Sequence, residues 1–230
     1  MGDHGRAAAV LAVLTVVGAA GSAAAQTAGK QPPVRRVSVA VAGGLMGGAS
    51  LGQTDAALRA RGGGDYPLFT TDSRVSRAAA LEVKASFALT RRYAAEGRIR
   101  FSRPELRTSI SGDVEGAPPL EVAERLDQYT FEGALVVTLD RFRWRGLVPF
   151  ASAGAGYLRQ LHEGRTLVEH GAIYHAGGGV KHWLVVRERG FVRAVGVRGD
   201  ARLSLISGGI GFDEGPRPHV GMSGGAFVTF

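Results

Sequence analysis

The 230 residues carry 28 Lys and Arg against 20 Asp and Glu, for a formal net charge of +8, with 35 Gly and no Cys. That length suits one domain. The glycines follow no G-x-y period, which excludes a collagen-like chain, and the lack of cysteine excludes a disulfide framework and thiol chemistry. Glycine set beside Val, Leu, Ala and Phe fits a bent, closed sheet, where it relieves crowding at kinks.

The N-terminal residues have the three-part layout of a secretory signal peptide. Arg6 supplies the cation, Ala7 to Gly21 the apolar run, and Ser22-Ala23-Ala24-Ala25-Gln26 the small residues for cleavage after Ala25. A retained membrane anchor needs ~20 apolar residues, and this run is shorter. The expected organisation is a signal peptide over 1–25, a short periplasmic segment over 26–34 and one β-barrel domain over 35–230.

Eight segments alternate in the period of two that a strand requires when its faces differ. The first, Val37 to Gly47, sets Val37, Val39, Val41, Gly43 and Leu45 on one face. The second, Leu81 to Leu89, alternates Leu81, Val83, Ala85, Phe87 and Leu89 with Glu82, Lys84, Ser86 and Ala88. The third, Tyr93 to Phe101, sets Tyr93, Ala95, Gly97, Ile99 and Phe101 against Glu96, Arg98 and Arg100. The fourth, Tyr129 to Leu139, opposes Glu132 to Phe131, Leu135 and Val137, while the small, Gly-rich fifth, Leu147 to Tyr157, shows no clear facing. The sixth, Ile173 to Leu184, opposes Lys181 to Ala176, Gly178 and Val180. The seventh opposes Arg198, Asp200 and Arg202 to Val195, Val197, Ala201, Leu203 and Leu205. The eighth closes the chain with Val220, Met222, Gly224, Ala226, Val228 and Phe230 on one face.

The expected fold is therefore an all-β, eight-stranded antiparallel up-and-down barrel. Alternation alone does not say which face is inside: a soluble carrier buries the apolar face, and a membrane barrel turns it to lipid. Three features favour a transmembrane barrel. Glu82, Lys84, Glu96, Arg98, Arg100, Glu132, Lys181, Arg198, Asp200 and Arg202 mix both signs on neighbouring strands, so they can pair inside a narrow lumen. Short links around Thr90-Arg91-Arg92, Asp140 to Gly146 and Val186 to Gly190 alternate with long ones over 49–77, 102–127, 159–172 and 206–219. Tyr93, Phe142, Trp144, Trp183, Phe191 and Phe230 gather by the short turns, and Phe101, Tyr129 and Tyr157 by the long loops, as two interfacial girdles.

The last strand, with Met222, Gly224, Ala226, Val228 and terminal Phe230, resembles the C-terminal signal that outer-membrane proteins present to the barrel-assembly machinery. Pro149 to Tyr157, Ala176 to Lys181 and Gly196 to Arg202 are similar to segments of the small OmpA/OmpX-like outer-membrane barrel superfamily. The resemblance covers about Arg35 to Phe230. It implies an outer-membrane barrel whose members include structural proteins and adhesins. The chain departs from OmpA in ending at the eighth strand, so cell-wall anchoring is not implied.

Chemistry is sparse by comparison. The Gly pairs precede no helix with a following Lys-Ser/Thr, which argues against a phosphate loop. His162, His170, His175 and His182 have no Cys and no tight carboxylate spacing beside them, so neither a metal nor another cofactor is expected. His170 and Ser152 are the nearest pair for a lipid-modifying enzyme, without a nucleophile motif, and no catalytic residue is assigned. The arginines crowd the short turns, where they would flank a bilayer rather than bind nucleic acid. The expected function is a non-enzymatic outer-membrane barrel with a plugged polar lumen. Its partners would be outer-membrane lipids, the assembly machinery and an extracellular ligand met through mobile long loops. A narrow porin-like pore, a lipid-modifying enzyme and a soluble periplasmic lipid carrier are the rivals.

Overall fold

A computed structural model describes residues 37–59, 65–112, 118–163, 167–210 and 215–230. The expected signal peptide, the 26–34 segment and Gly62 to Gly64 lie outside the described residues.

Eight strands close an antiparallel barrel: β1 (Val37–Met46), β4 (Ala78–Ala88), β5 (Tyr93–Ser102), β8 (Asp127–Thr138), β9 (Leu147–Leu161), β10 (Val168–Val186), β11 (Ala194–Gly208) and β12 (Arg217–Thr229). Each pairs with its neighbour along the chain, and β1 closes the ring by pairing with both β4 and β12. Val41 thus stands opposite Val83 on one side and Ala226 on the other. The closed ring leaves no open edge among its own strands.

The four further strands correct an expectation. The first two long links are not irregular loops: they form β2 (Ala49–Arg59), β3 (Asp65–Val75), β6 (Glu105–Ser111) and β7 (Leu120–Arg125), a second antiparallel sheet in the order β2-β3-β6-β7. The β3–β6 ladder, from Thr70 opposite Ser111 to Val75 opposite Leu106, ties the two links together. Within it Ser73 Oγ lies 3.0 Å from Thr108 Oγ1. The barrel strands also outrun their expected ends. β9 runs on to Leu161, paired with β8 up to Asp127, and β10 starts at Val168.

At the opposite end the turns are tight. Arg145 (φ 47°) and Gly146 (φ 82°) both take positive φ, the pattern of a type I′ hairpin turn. Trp144 and Leu147 exchange backbone hydrogen bonds of 3.1 and 2.8 Å across it.

The facing of the wall is the reverse of a soluble barrel. Leu81, Val83, Phe87, Ile99, Phe131, Leu135, Leu203, Val220 and Met222 are exposed on the outside, while Glu82, Lys84, Glu96, Arg98, Arg100 and Glu132 are each no more than 5% exposed inside. Buried charge and an exposed apolar band are the informative exceptions to ordinary burial. The uncertain fifth segment resolves: Val148, Phe150, Ser152 and Leu158 point inward, and Ala151, Ala153 and Tyr157 outward. Trp183 does not join the outer girdle. It pairs with Gly196 beside a register shift between Trp183 and Val185, and its ring meets inward-facing Phe227 edge-on at 5.9 Å.

Candidate functional site: the charged lumen

The ten charged residues singled out by alternation all lie on the inward face of the wall. Two facts of barrel order bring most of them together. Three strands carry most of the charge side by side: β4 with Glu82 and Lys84, β5 with Glu96, Arg98 and Arg100, and β8 with Glu132. Strand β11, with Arg198, Asp200 and Arg202, stands directly across the ring from β5. Oppositely charged side chains can therefore meet across the lumen.

They do so in two layers. In the layer nearer the short turns, Arg198 forks both terminal nitrogens onto the Glu96 carboxylate, with Nη2 at 3.1 Å from Oε1, and its Nε donates to Asp200 Oδ2 at 3.0 Å. Lys84 reaches the same Asp200 oxygen at 2.8 Å. In the other layer, Arg100 Nε donates to Glu82 Oε1 at 2.8 Å, and Arg202 binds Glu82 from the far wall. Arg98 joins the layers, donating to Glu96 at 3.1 Å and to Glu132 at 3.2 Å.

Neutral groups complete the network. Ser86 donates to Glu96 at 2.9 Å and Thr130 to Glu132 at 3.0 Å. Ser223 sits 3.1 Å from both Glu82 and Asp200. These three hydroxyls were not singled out from the sequence, although each shares the inward parity of the charges beside it. His175 also faces inward, its Nδ1 3.2 Å from Glu132 Oε2.

The crossings need room, and the walls between supply it. On β10, Gly177 stands beside Arg202 and Gly179 beside Asp200. A β-carbon at Gly177 would lie 2.7 Å from the Arg202 Cα, and one at Gly179 2.8 Å from the Asp200 Cα. Small residues facing large ones let a narrow barrel fill its own interior.

Apolar groups bound the belt on both sides. Toward the short turns lie Phe150, Phe227, Val148 and Val136, all buried, with the Arg198 guanidinium 4.3 Å above the Phe150 ring. Toward the long links, Leu158, Ile173 and Ile206 form a buried cluster. Beside it Gln160 donates to Gln128 at 3.1 Å, and the Gln128 amide contacts Met46 Sδ at 3.3 Å. Burying this many ions is tolerable only because nearly all are paired and hydrogen-bonded.

Lys181 is the exception. It faces the lumen next to Arg198 on β11, with its Nζ 5.2 Å from the Phe150 ring centre, and makes no ion pair among the described residues.

The other singled-out residues do not converge. Ser152 points into the lumen and His170 out of it, so the wall separates the pair considered for lipid chemistry. His170 stacks on Tyr157 on the outer face, with ring centres 5.5 Å apart. His162 lies 3.0 Å from Glu124 of β7, and His182 Nδ1 is 3.2 Å from the Gly146 carbonyl. Met222, Gly224, Ala226 and Val228 face outward on β12. Phe230 follows them, with its N–H donating to the Val37 carbonyl at 3.0 Å and its ring 4.9 Å from that of Phe191.

No protein-family model matches the chain, and no curated protein does. Among solved structures, the chain is similar to the translocator domain of autotransporter NalP from Neisseria meningitidis. The identity is 12% and the TM-score 0.36, with 96% of this chain and 98% of that one covered. A likeness at that level assigns no family.

Proposed function

We propose that the protein is an exported, non-enzymatic β-barrel of a Gram-negative outer membrane. Its lumen is closed by the crossing salt bridges, and it serves envelope structure or surface contact through the sheet and links at its long-link end. One observation carries this reading: a closed ring with charge inside and an unbroken apolar band outside. Such a band in water would be an aggregation surface, whereas hydrocarbon solvates it and requires the closed ring. The short turns would then lie on the periplasmic side, where Arg91, Arg92, Arg141, Arg143, Arg145, Arg187 and Arg189 meet phospholipid headgroups. The outward row ending in Phe230 supports a role as the assembly signal. Resemblance to the OmpA/OmpX-like superfamily fits the same picture.

Cell fractionation of the full chain tests the reading. The expected result is recovery in the outer membrane, with gel mobility that changes on boiling as the barrel unfolds. Recovery in the soluble periplasm would overturn it. Planar-bilayer recording addresses the plug separately, because steady, reproducible conductance would replace the closed lumen with a narrow pore.

A further inference from the structure

The central belt of the lumen holds six cations, Lys84, Arg98, Arg100, Arg198, Arg202 and Lys181, against four carboxylates, Glu82, Glu96, Glu132 and Asp200. The carboxylates are already committed. Glu96 takes Arg198 and Arg98, Glu82 takes Arg100, Arg202 and Lys84, Glu132 takes Arg98 and holds Arg100 and Arg202 at 3.5 Å, and Asp200 takes Lys84 and Arg198. Lys181 is left with a like charge as its cross-strand neighbour, Arg198, and a phenyl ring beneath it. A phenyl face offsets only a small part of the cost of a desolvated ammonium. Arg98 Nε and Arg100 Nη2 are buried donors in the belt with no hydrogen-bond partner among the described residues. The excess positive charge is a property of composition and facing, and no rearrangement of side chains within the belt removes it.

We infer that the lumen binds a small inorganic anion of chloride size at Lys181, on the short-turn side of the belt between β10, β11 and Phe150. Lys181 is the ligand the anion would find unoccupied, and Arg198 beside it adds to the positive potential. Across the β9–β10 ladder the neighbours of Lys181 are Val148, directly opposite, and Phe150, opposite Gly179. One unpaired ammonium matches a single negative charge, so the site suits a monovalent ion. The inference concerns the lumen alone and stands whether or not the outer face meets lipid.

The test uses the full mature chain refolded in zwitterionic detergent, with the thermal midpoint read by circular dichroism. Sodium chloride is compared with sodium gluconate at equal ionic strength, gluconate being too bulky for the lumen. The wild type is expected to melt about 2–4 °C higher in chloride, as a ligand bound only by the folded state requires. Lys181→Met removes the excess charge at the site and is expected to lose the chloride dependence. Arg92→Gln, in a short turn outside the lumen, is expected to keep it. Should Lys181→Met not fold, Lys181→Gln serves the same comparison. Equal wild-type midpoints in the two salts, or chloride dependence that survives loss of Lys181, would overturn the proposal. Boiling-dependent gel mobility of the same samples reports barrel formation independently, so an absent anion site is distinguishable from an absent barrel.

Discussion

Strands β2 and β4 are both 11 residues long, yet only one of them looks like a strand in sequence. In β4, Leu81, Val83, Ala85 and Phe87 alternate with Glu82, Lys84 and Ser86, because one face is the lumen and the other the outer band. In β2, Gln53, Thr54 and Asp55 follow one another without contrast. β2 lies at the edge of its sheet with only β3 beside it, whereas β4 is hydrogen-bonded on both sides. A period of two reports a difference between the environments of two faces, not the extended backbone itself. Where both faces meet the same solvent, the backbone is still a strand and the signal is gone.

The contrast is sharpest for charge. Glu96 and Glu105 each accept from an arginine, but Glu96 is buried with Arg198 and Arg98, whereas the Glu105–Arg107 pair at 3.0 Å is 39% and 51% exposed. Glu96→Gln is expected to destabilise by about 3–5 kcal/mol, since it takes a carboxylate from two buried guanidinium groups, leaving Arg198 only Asp200 and Arg98 only Glu132. Glu105→Gln is expected to cost less than about 1 kcal/mol. Urea unfolding of the refolded chain measures both. Comparable losses at the two positions would erase the distinction between lumen and outer sheet.

A smaller effect probes what each surface touches. Val83 on β4 and Val122 on β7 are almost equally exposed, at 44% and 49%. In a bilayer, Val83→Arg is expected to cost about 2–4 kcal/mol, because the side chain enters hydrocarbon near midspan. Val122→Arg is expected to change stability by no more than about 0.5 kcal/mol, as an ordinary surface substitution does. Unfolding in lipid vesicles compares them, and equal tolerance of arginine would mean that β4 faces water.

The facing of the barrel was legible because every inward charge but Lys181, which His182 follows, is bracketed by outward apolar residues, as Lys84 is by Val83 and Ala85. Strand β9 was not, since outward Ala151, Ala153 and Ala155 alternate with inward Ser152, Gly154 and Gly156 at almost no contrast in size. Trp183 was placed with the outer aromatics through its nearness to a turn, although its parity with Lys181 points inward. Which charges meet across the lumen was beyond the sequence. Arg198 and Glu96 are 102 positions apart, and their meeting depends on β11 and β5 occupying opposite sides of an eight-membered ring. The outer sheet was hidden for the reason that separates β2 from β4.

The account rests on the outer face meeting lipid while the inner face does not. The chain has no cysteine of its own, so single cysteines can be placed along β4 and labelled with a small fluorophore in vesicles whose acyl chains are brominated. Labels at Leu81, Val83, Ala85 and Phe87 are expected to be quenched, and those at Ala80, Ser86 and Ala88 to be spared. Uniform quenching along the strand, or quenching in the opposite phase, would contradict the inside-out barrel.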